Sequence, residues 1–560
     1  MQALNSNTTG IRNVSIGYTS LRANTIGINN VAVGNAAMYT NTTGTNNVAI
    51  GAYALYQNTT GIDNVALGRS AVACNTVGYQ NIGIGLESLK ANTTGFDNVS
   101  LGYKALTTNT TGGFNIAVGT EAGCSNTTGT ANIVLGQCAF HNSQTGSSNV
   151  VLGHQAMHTG SGNIQSNVAI GTFAMYKGSN SCFNVAIGRD SGKCMNGGKC
   201  NVMLGYSSGC CISSGCSNVV LGTRSAALIT TGCRNVAVGF KALEQLTTGS
   251  DNVAVGYQTL KSITRGGFNV ALGYAALENA VDNSTKNVAI GYLAAQQFGN
   301  SGTGGANIVA VGTHAGKNIT AGNVVVIGPD AACNSVGGAF STVVGPFAAQ
   351  TYTGASTTVY GAQAGSDLTS GYSNTLLGKG AGSNVTTGHC NTMIGDSTGS
   401  NIVGGTNNIV IGKSAQASGA SVAHEITLGN SDINCFRIPG LNFTVDNHGD
   451  VNLINDKKVI FGDAGEHIVG DLSNLMITSS GVLALESTGT WKFNYSPNGS
   501  TMFSIVTENS DMVLRNDSSD KDIILRGNDG GSYVDALTLD MSAAGAATFN
   551  DKIILGANKS

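Results

Sequence analysis

The stretch Asn47-Val48-Ala49-Ile50-Gly51 decides how this chain is read, because near-copies of it return at almost constant distance over most of the sequence. Its closing glycine recurs in steps of 17 from Gly17 through Gly34, Gly51 and Gly68 to Gly153. After one extra residue before Gly171, the step of 17 resumes as far as Gly273. Steps of 18 and 21 lead to Gly291 and Gly312, and steps of 16 or 17 carry the pattern on to Gly429. A short, strict period of this kind marks a solenoid of stacked coils.

Working outward, one unit runs from Asn41-Thr42-Thr43-Gly44 through the quoted strand to Ala54-Leu55 and Gln57. Val48 and Ile50 alternate with Ala49, the period of two that belongs to a strand. Ala54-Leu55 offers a second extended piece, and Asn-Thr-Thr-Gly is turn chemistry. Each coil is therefore expected to hold two short strands and two turns. A helix fails on punctuation, since two glycines per unit would each cost about 1 kcal/mol. Both faces of the strand are apolar, and such strands are normally covered on both sides. The expectation is that Val and Ile fill the coil while the alanine-bearing face packs on other copies, as a homotrimer around a central axis.

Composition narrows the class. Eighty glycines with four prolines exclude collagen. Only 10% of the 560 residues are charged and the net charge is -3, so no basic field for nucleic acid or an anionic membrane is present. The sequence holds no apolar run of about 18 residues, so membrane insertion as a helix is not expected. The opening residues run straight into the repeat, and a cleaved secretion signal is not expected either.

Two asparagine columns follow the repeat. One opens the strand at Asn30, Asn47, Asn64, Asn81, Asn98 and Asn115, and the other lies in the turn at Asn24, Asn41 and Asn58. Stacked identical coils let such amides bond to the copies above and below, so both read as structural ladders. Thirteen cysteines follow the period too: Cys194 and Cys211 are 17 apart, as are Cys216 and Cys233. Adjacent coils sit about 4.8 Å apart, which allows ladder disulfides; small semi-buried thiols are the alternative. Phe240, Tyr257, Tyr274 and Tyr292 form an aromatic column after the glycine, read either as a structural ladder or as a platform for sugars. The insertion from Gln296 to Gly305 reads as a surface loop, and Ser341 and Thr357 replace the strand asparagine. The acids Glu87, Glu121, Asp190, Glu244, Asp330 and Asp367 are scattered over different coils, and catalysis needs facing pairs. No enzyme and no cofactor or metal is expected.

The repeat stops near residue 430, giving three segments: a roll at 1–430, a transition at 431–455 and a β-rich shaft at 456–560. Strand-like pieces are expected at Phe443-Val445, Val451-Leu453, Lys458-Phe461, Leu475-Thr478, Met512-Leu514 and Asp522-Leu525. The end at Asn550-Gly556 echoes Asn455-Gly462, which suggests a polypeptide that once continued past Ser560.

The Asn-Val-Ala-Ile-Gly strand resembles the left-handed parallel β-roll of trimeric autotransporter adhesin heads, over roughly residues 5 to 430. The stretch Ala543-Ala544-Gly545-Ala546-Ala547-Thr548-Phe549-Asn550, leading into Asp551-Lys552-Ile553-Ile554-Leu555-Gly556, is similar to shaft segments of phage tail fibres. These resemblances imply an all-β, trimeric rod that binds a cell-surface glycan or protein receptor. A virus or phage tail fibre is the first expectation, a bacterial surface adhesin the second and an extracellular filament the third. Twenty-five coils of about 4.8 Å each would give a rod of roughly 120 Å.

Overall fold

The computed structural model describes residues 2–299 and 307–438, and the shorter pieces 443–446, 451–453, 503–508, 511–516, 521–540, 542 and 546–549. The repeat region winds into a parallel β-solenoid whose single sheet has 25 strands, from β1 (Val14–Ile16) to β25 (Ile426–Leu428). Each strand pairs in register with that of the next coil, as Val48↔Val65, Ala49↔Ala66 and Ile50↔Leu67. The Val48 N–H donates to the Asn64 carbonyl at 2.8 Å, and the Gly51 N–H donates to the Val33 carbonyl at 2.8 Å. No helix occurs among the described residues.

A coil contains one strand of three or four residues, not two. The Ala54-Leu55 segment is a turn, because Tyr53 and Leu55 take φ values of 61° and 51°. This left-handed backbone recurs at the same two places in most coils, for instance at Glu87 and Leu89. A non-glycine residue there costs about 1–2 kcal/mol. Leu55 recovers that cost by being fully buried, and its N–H donates to the Ala71 carbonyl of the next coil at 3.0 Å.

The inside and outside of the strand are the reverse of the sequence expectation. Ala49, Ala66, Ala117, Ala186 and Ala237 are fully buried inside the coil, together with Ala54 and Leu55. Val48 is half-buried and Ile50 is 42% exposed on the outer face. The physical reason is the period of two: the strand's middle residue points into the coil and both its neighbours point out. The strand's middle residue meets the residue three after the glycine across the coil, and where both are serine their hydroxyls touch: Ser88 Oγ donates to Ser100 Oγ at 2.7 Å. Most coils put alanine at the middle position, and others enclose a larger chain there just as fully, such as Val151, Met203 and Leu376.

Both asparagine columns are buried from the second coil on and bonded from coil to coil. Asn30 Oδ1 accepts from the backbone N–H of Asn47 at 3.0 Å, and Asn47 Nδ2 donates to the Gly61 carbonyl at 2.8 Å. The turn asparagine Asn58 donates to the same Gly61 carbonyl at 3.0 Å and to Asn41 Oδ1 at 2.8 Å. The two ladders thus converge on one carbonyl per coil, which fixes the Asn-Thr-Thr-Gly turn. From Met195 through Ile212, Ile229, Leu246 and Ile263 the turn column becomes apolar and stays fully buried. Replacing every member of a stretch of ladder removes donors and acceptors together, and the orphaned groups, Asn126 Oδ1 and the Ser143 hydroxyl, sit where the polar column gives out.

The irregular coils are repaired locally. Ile308 and Val324 also replace the strand asparagine, besides Ser341 and Thr357, and their strands lengthen to Ile308–Val311 and Val324–Ile327. At Ser341 the turn position holds Tyr352, which is 1% exposed and places its hydroxyl 3.1 Å from Ser341 Oγ. The inserted stretch begins inside the coil: Phe298 is fully buried at the turn corner, and the Gln297 N–H donates to the Lys317 carbonyl at 2.8 Å. The rest of that expected surface loop, from Asn300 to Gly305, lies outside the described residues.

The chain divides into two compact units, Met1–Asp456 and Lys457–Ser560. In the first, the roll is followed by an antiparallel sheet of β26 (Cys435–Ile438), β27 (Phe443–Asp446) and β28 (Val451–Leu453). In the second, β29 (Phe503–Glu508) pairs antiparallel with β30 (Asp511–Asn516), and β31 (Ile523–Asp529), β32 (Ser532–Asp540) and β33 (Ala546–Phe549) form a three-stranded antiparallel sheet. The strands expected at 458–461 and 475–478, and the terminal echo at 550–556, lie outside the described residues.

Candidate functional site

The inverted strand gives the roll its most distinctive surface. Because each coil turns the residues on either side of the buried alanine outward, two parallel columns of Val, Ile and Leu run along one sheet. Val31 and Val33, Val48 and Ile50, and Val65 and Leu67 begin the pattern, and it continues coil by coil. Ile50, Leu101, Ile187, Ile290 and Leu377 are between 37% and 43% exposed. Thr342, Thr358, Thr375 and Thr392 make the first column polar in four consecutive coils. At about a third of ~170 Å² per branched side chain, two columns of 25 residues offer on the order of 2,500 Å² of apolar surface, against about 800 Å² per partner in a standard interface. Monomers rarely expose more than a few hundred Å² of continuous apolar surface.

The strand asparagines Asn30, Asn47, Asn64, Asn81, Asn98 and Asn115 are interior, at 0–1% exposure, and bond to the backbone and to one another. Of the two cysteine steps, a disulfide joins Cys216 to Cys233, whose Cα atoms are 4.7 Å apart. Cys194 and Cys211 are free thiols. Cys211 lies instead against Cys210, with the sulfurs 3.6 Å apart. The Cys210 thiol donates to Cys211, which brings the Cys211 pKa down to about 6 and pushes that of Cys210 up.

The aromatic column stacks on itself. Phe240 and Tyr257 have ring centroids 5.3 Å apart, Tyr257 and Tyr274 4.8 Å, and Tyr274 and Tyr292 5.2 Å, with interplanar angles of 17°, 6° and 23°. Lys241 lies over Phe240 and His314 meets Tyr292 edge-on. The faces that would receive a sugar are thus occupied by neighbouring rings, leaving edges and hydroxyls toward solvent.

The scattered acids other than Asp367 lie beside bases. Glu244, whose side chain is 9% exposed, lies 3.1 Å from Arg224 Nη2 and 3.7 Å from Lys241 Nζ. Glu87 pairs with Lys90 at 3.0 Å, Asp190 with Lys193 at 2.9 Å, and Asp330 with His314 at 2.9 Å. Among the described residues, no group of three or more His, Cys, Asp or Glu could hold a metal ion, and no helix is long and apolar enough to cross a membrane.

One titration arises from a ring stack the sequence did not single out. His158 is sandwiched between His141 at 4.9 Å and Tyr176 at 5.4 Å, and its Nδ1 is buried without a partner. Burial, helped by the nearby His141 and His154, holds its pKa below the ordinary 6.5. The unfolded chain therefore binds the proton first. Stability is full above pH 6.5 and falls as the pH drops through that value toward the folded one. Thermal unfolding followed between about pH 7.5 and 5 should show a steeper loss in the native chain than in His158→Gln.

Comparison with protein-family models, curated proteins and solved structures gave no match.

Proposed function

We propose that the chain is a structural fibre protein, in which three copies of a left-handed roll associate along the outer Val/Ile/Leu columns into a rigid rod that attaches to a cell surface. The observation that carries this is the continuous apolar strip running from the first coil to the last. Water-exposed branched chains at every 17-residue step have no use in an isolated soluble roll. Burying them among copies of the same chain satisfies them all at once, because only a partner with the same coil spacing can match the strip along its length.

The antiparallel pieces after residue 430 favour a virus or phage tail fibre, with a cell-surface glycan or protein as receptor. The self-stacked Phe240–Tyr292 column acts as a spine in this reading, stiffening the rod. Light scattering on the purified native chain, with the mass read from the eluting peak, should give three chains per particle. A single-chain particle would remove the basis of the reading.

A further inference from the structure

We propose that Phe114, Phe183, Phe268 and Phe340 are register pins, which dock on neighbouring copies of this chain at the margin of the apolar strip and stop the copies from sliding past one another. The inference rests on the fibre reading and extends it.

All four occupy the same place in their coils, one residue before the strand-opening position and two before the outer apolar column. Their φ values are 61°, 59°, 60° and 58°. Most coils put Asn, Asp or Ser at this left-handed position, for instance Asn46, Asp63 and Ser148. Such residues tolerate it because their short polar side chains bond locally, whereas a bulky ring there is an outlier. The polar residues also bond from coil to coil: Asn46 Nδ2 donates to Asp63 Oδ1 at 2.9 Å. Phe183, Phe268 and Phe340 gain nothing comparable inside the chain and Phe114 meets only the Phe96 ring, edge-on at 5.0 Å, the four being 57%, 59%, 62% and 71% exposed in sequence order. A strained and solvent-facing ring at four matched sites needs a gain outside the single chain.

The need for pins comes from the strip itself. Columns that repeat at every coil look nearly the same after a shift of about 4.8 Å, so register is weakly specified. The four rings precede β7 (Ile116–Val118), β11 (Val185–Ile187), β16 (Val270–Leu272) and β20 (Thr342–Val344). Their spacings are therefore four, five and four coils. With that uneven spacing, no slide of parallel copies brings more than two rings back to an equivalent place, whereas the correct register matches all four. The occupant is a second copy, since no partner without this spacing meets all of them.

Two measurements test this. The double variant Phe183→Ser with Ser148→Phe moves one pin by two coils to another left-handed position with a small preceding residue, Ser147. When it is co-expressed with the native chain under a different affinity tag, mixed particles should fall about tenfold below the level of a native/native control, a difference of about 1.4 kcal/mol. Statistical mixing in particles of native mass would overturn the pins and leave the fibre reading standing. A particle of one chain would overturn both. Second, replacing all four rings by Asn suits the left-handed backbone of a single chain, yet the assembly's thermal midpoint should fall. An unchanged or higher midpoint with the mass retained would overturn the pins.

Discussion

Gly188→Ala is expected to cut the roll into two independently unfolding halves. Gly188 has φ +128°, and a Cβ built on it would lie 2.5 Å from the carbonyl oxygen of Gly205 and 2.8 Å from its carbon. Both are backbone atoms of the next coil, so nothing flexible can give way. Relief requires β11 to part from β12 (Val202–Leu204), the contact on which a stacked coil depends. The cost should be at least about 4 kcal/mol at that step, at the severe end for a point change. Limited proteolysis with mass analysis should find new cleavage between residues 188 and 205, and melting should separate into two transitions. Gly419→Ala is the control, because a Cβ there meets nothing within 4 Å. If the two variants behave alike, coil-to-coil packing at the closing glycines is not what limits the stack.

The second large effect concerns the strip. Val236, Val253 and Val270 are half-buried neighbours in the first outer column. Replacing all three by Lys leaves each coil intact, since these side chains face out, but would place three charges in a dry interface. A buried unpaired charge costs several kcal/mol, so the particle should fall from three chains to one while its β-sheet circular dichroism is kept. The same change at Thr43, Thr60 and Thr94, exposed on the turn, should leave the mass unaltered. A trimer that survives the strip variant must be held by another surface.

The period, the strand at Asn47–Gly51 and both asparagine ladders were legible because each rests on spacing alone. The direction of the strand was not. Ala49 and Ile50 are both apolar, so hydropathy cannot say which one a coil encloses, and size does not say either, since Val151 and Leu376 are enclosed where other coils have alanine. The paired serines Ser15 with Ser20, and Ser88 with Ser100, carried that signal: polar residues that replace alanine at both positions bond to each other across the interior. The left-handed backbone at Tyr53 and Leu55 left no mark, since neither residue type favours it and only stacking enforces it. Ile308 and Val324 escaped notice because an apolar residue before a strand reads as a longer strand, which it also is. Of the surface features, the aromatic column was visible as a column, but whether its ring faces were open or stacked depended on side-chain angles. The exposed phenylalanines stood out only once their backbone angles were known.

The alanine-lined interior also shapes how the molecule answers to heat and cold. Heat capacity of unfolding tracks the apolar surface newly wetted, and ordinary domains gain about 12–15 cal/mol/K per residue. A coil that encloses alanine methyls, amide ladders and one larger chain such as Met38 or Leu55, and leaves the branched chains of its strand half wet, has less to expose, so a lone chain should fall below that range. Its stability curve is correspondingly shallow, changing little between cold and warm surroundings, and the steeper curvature belongs to the associated form.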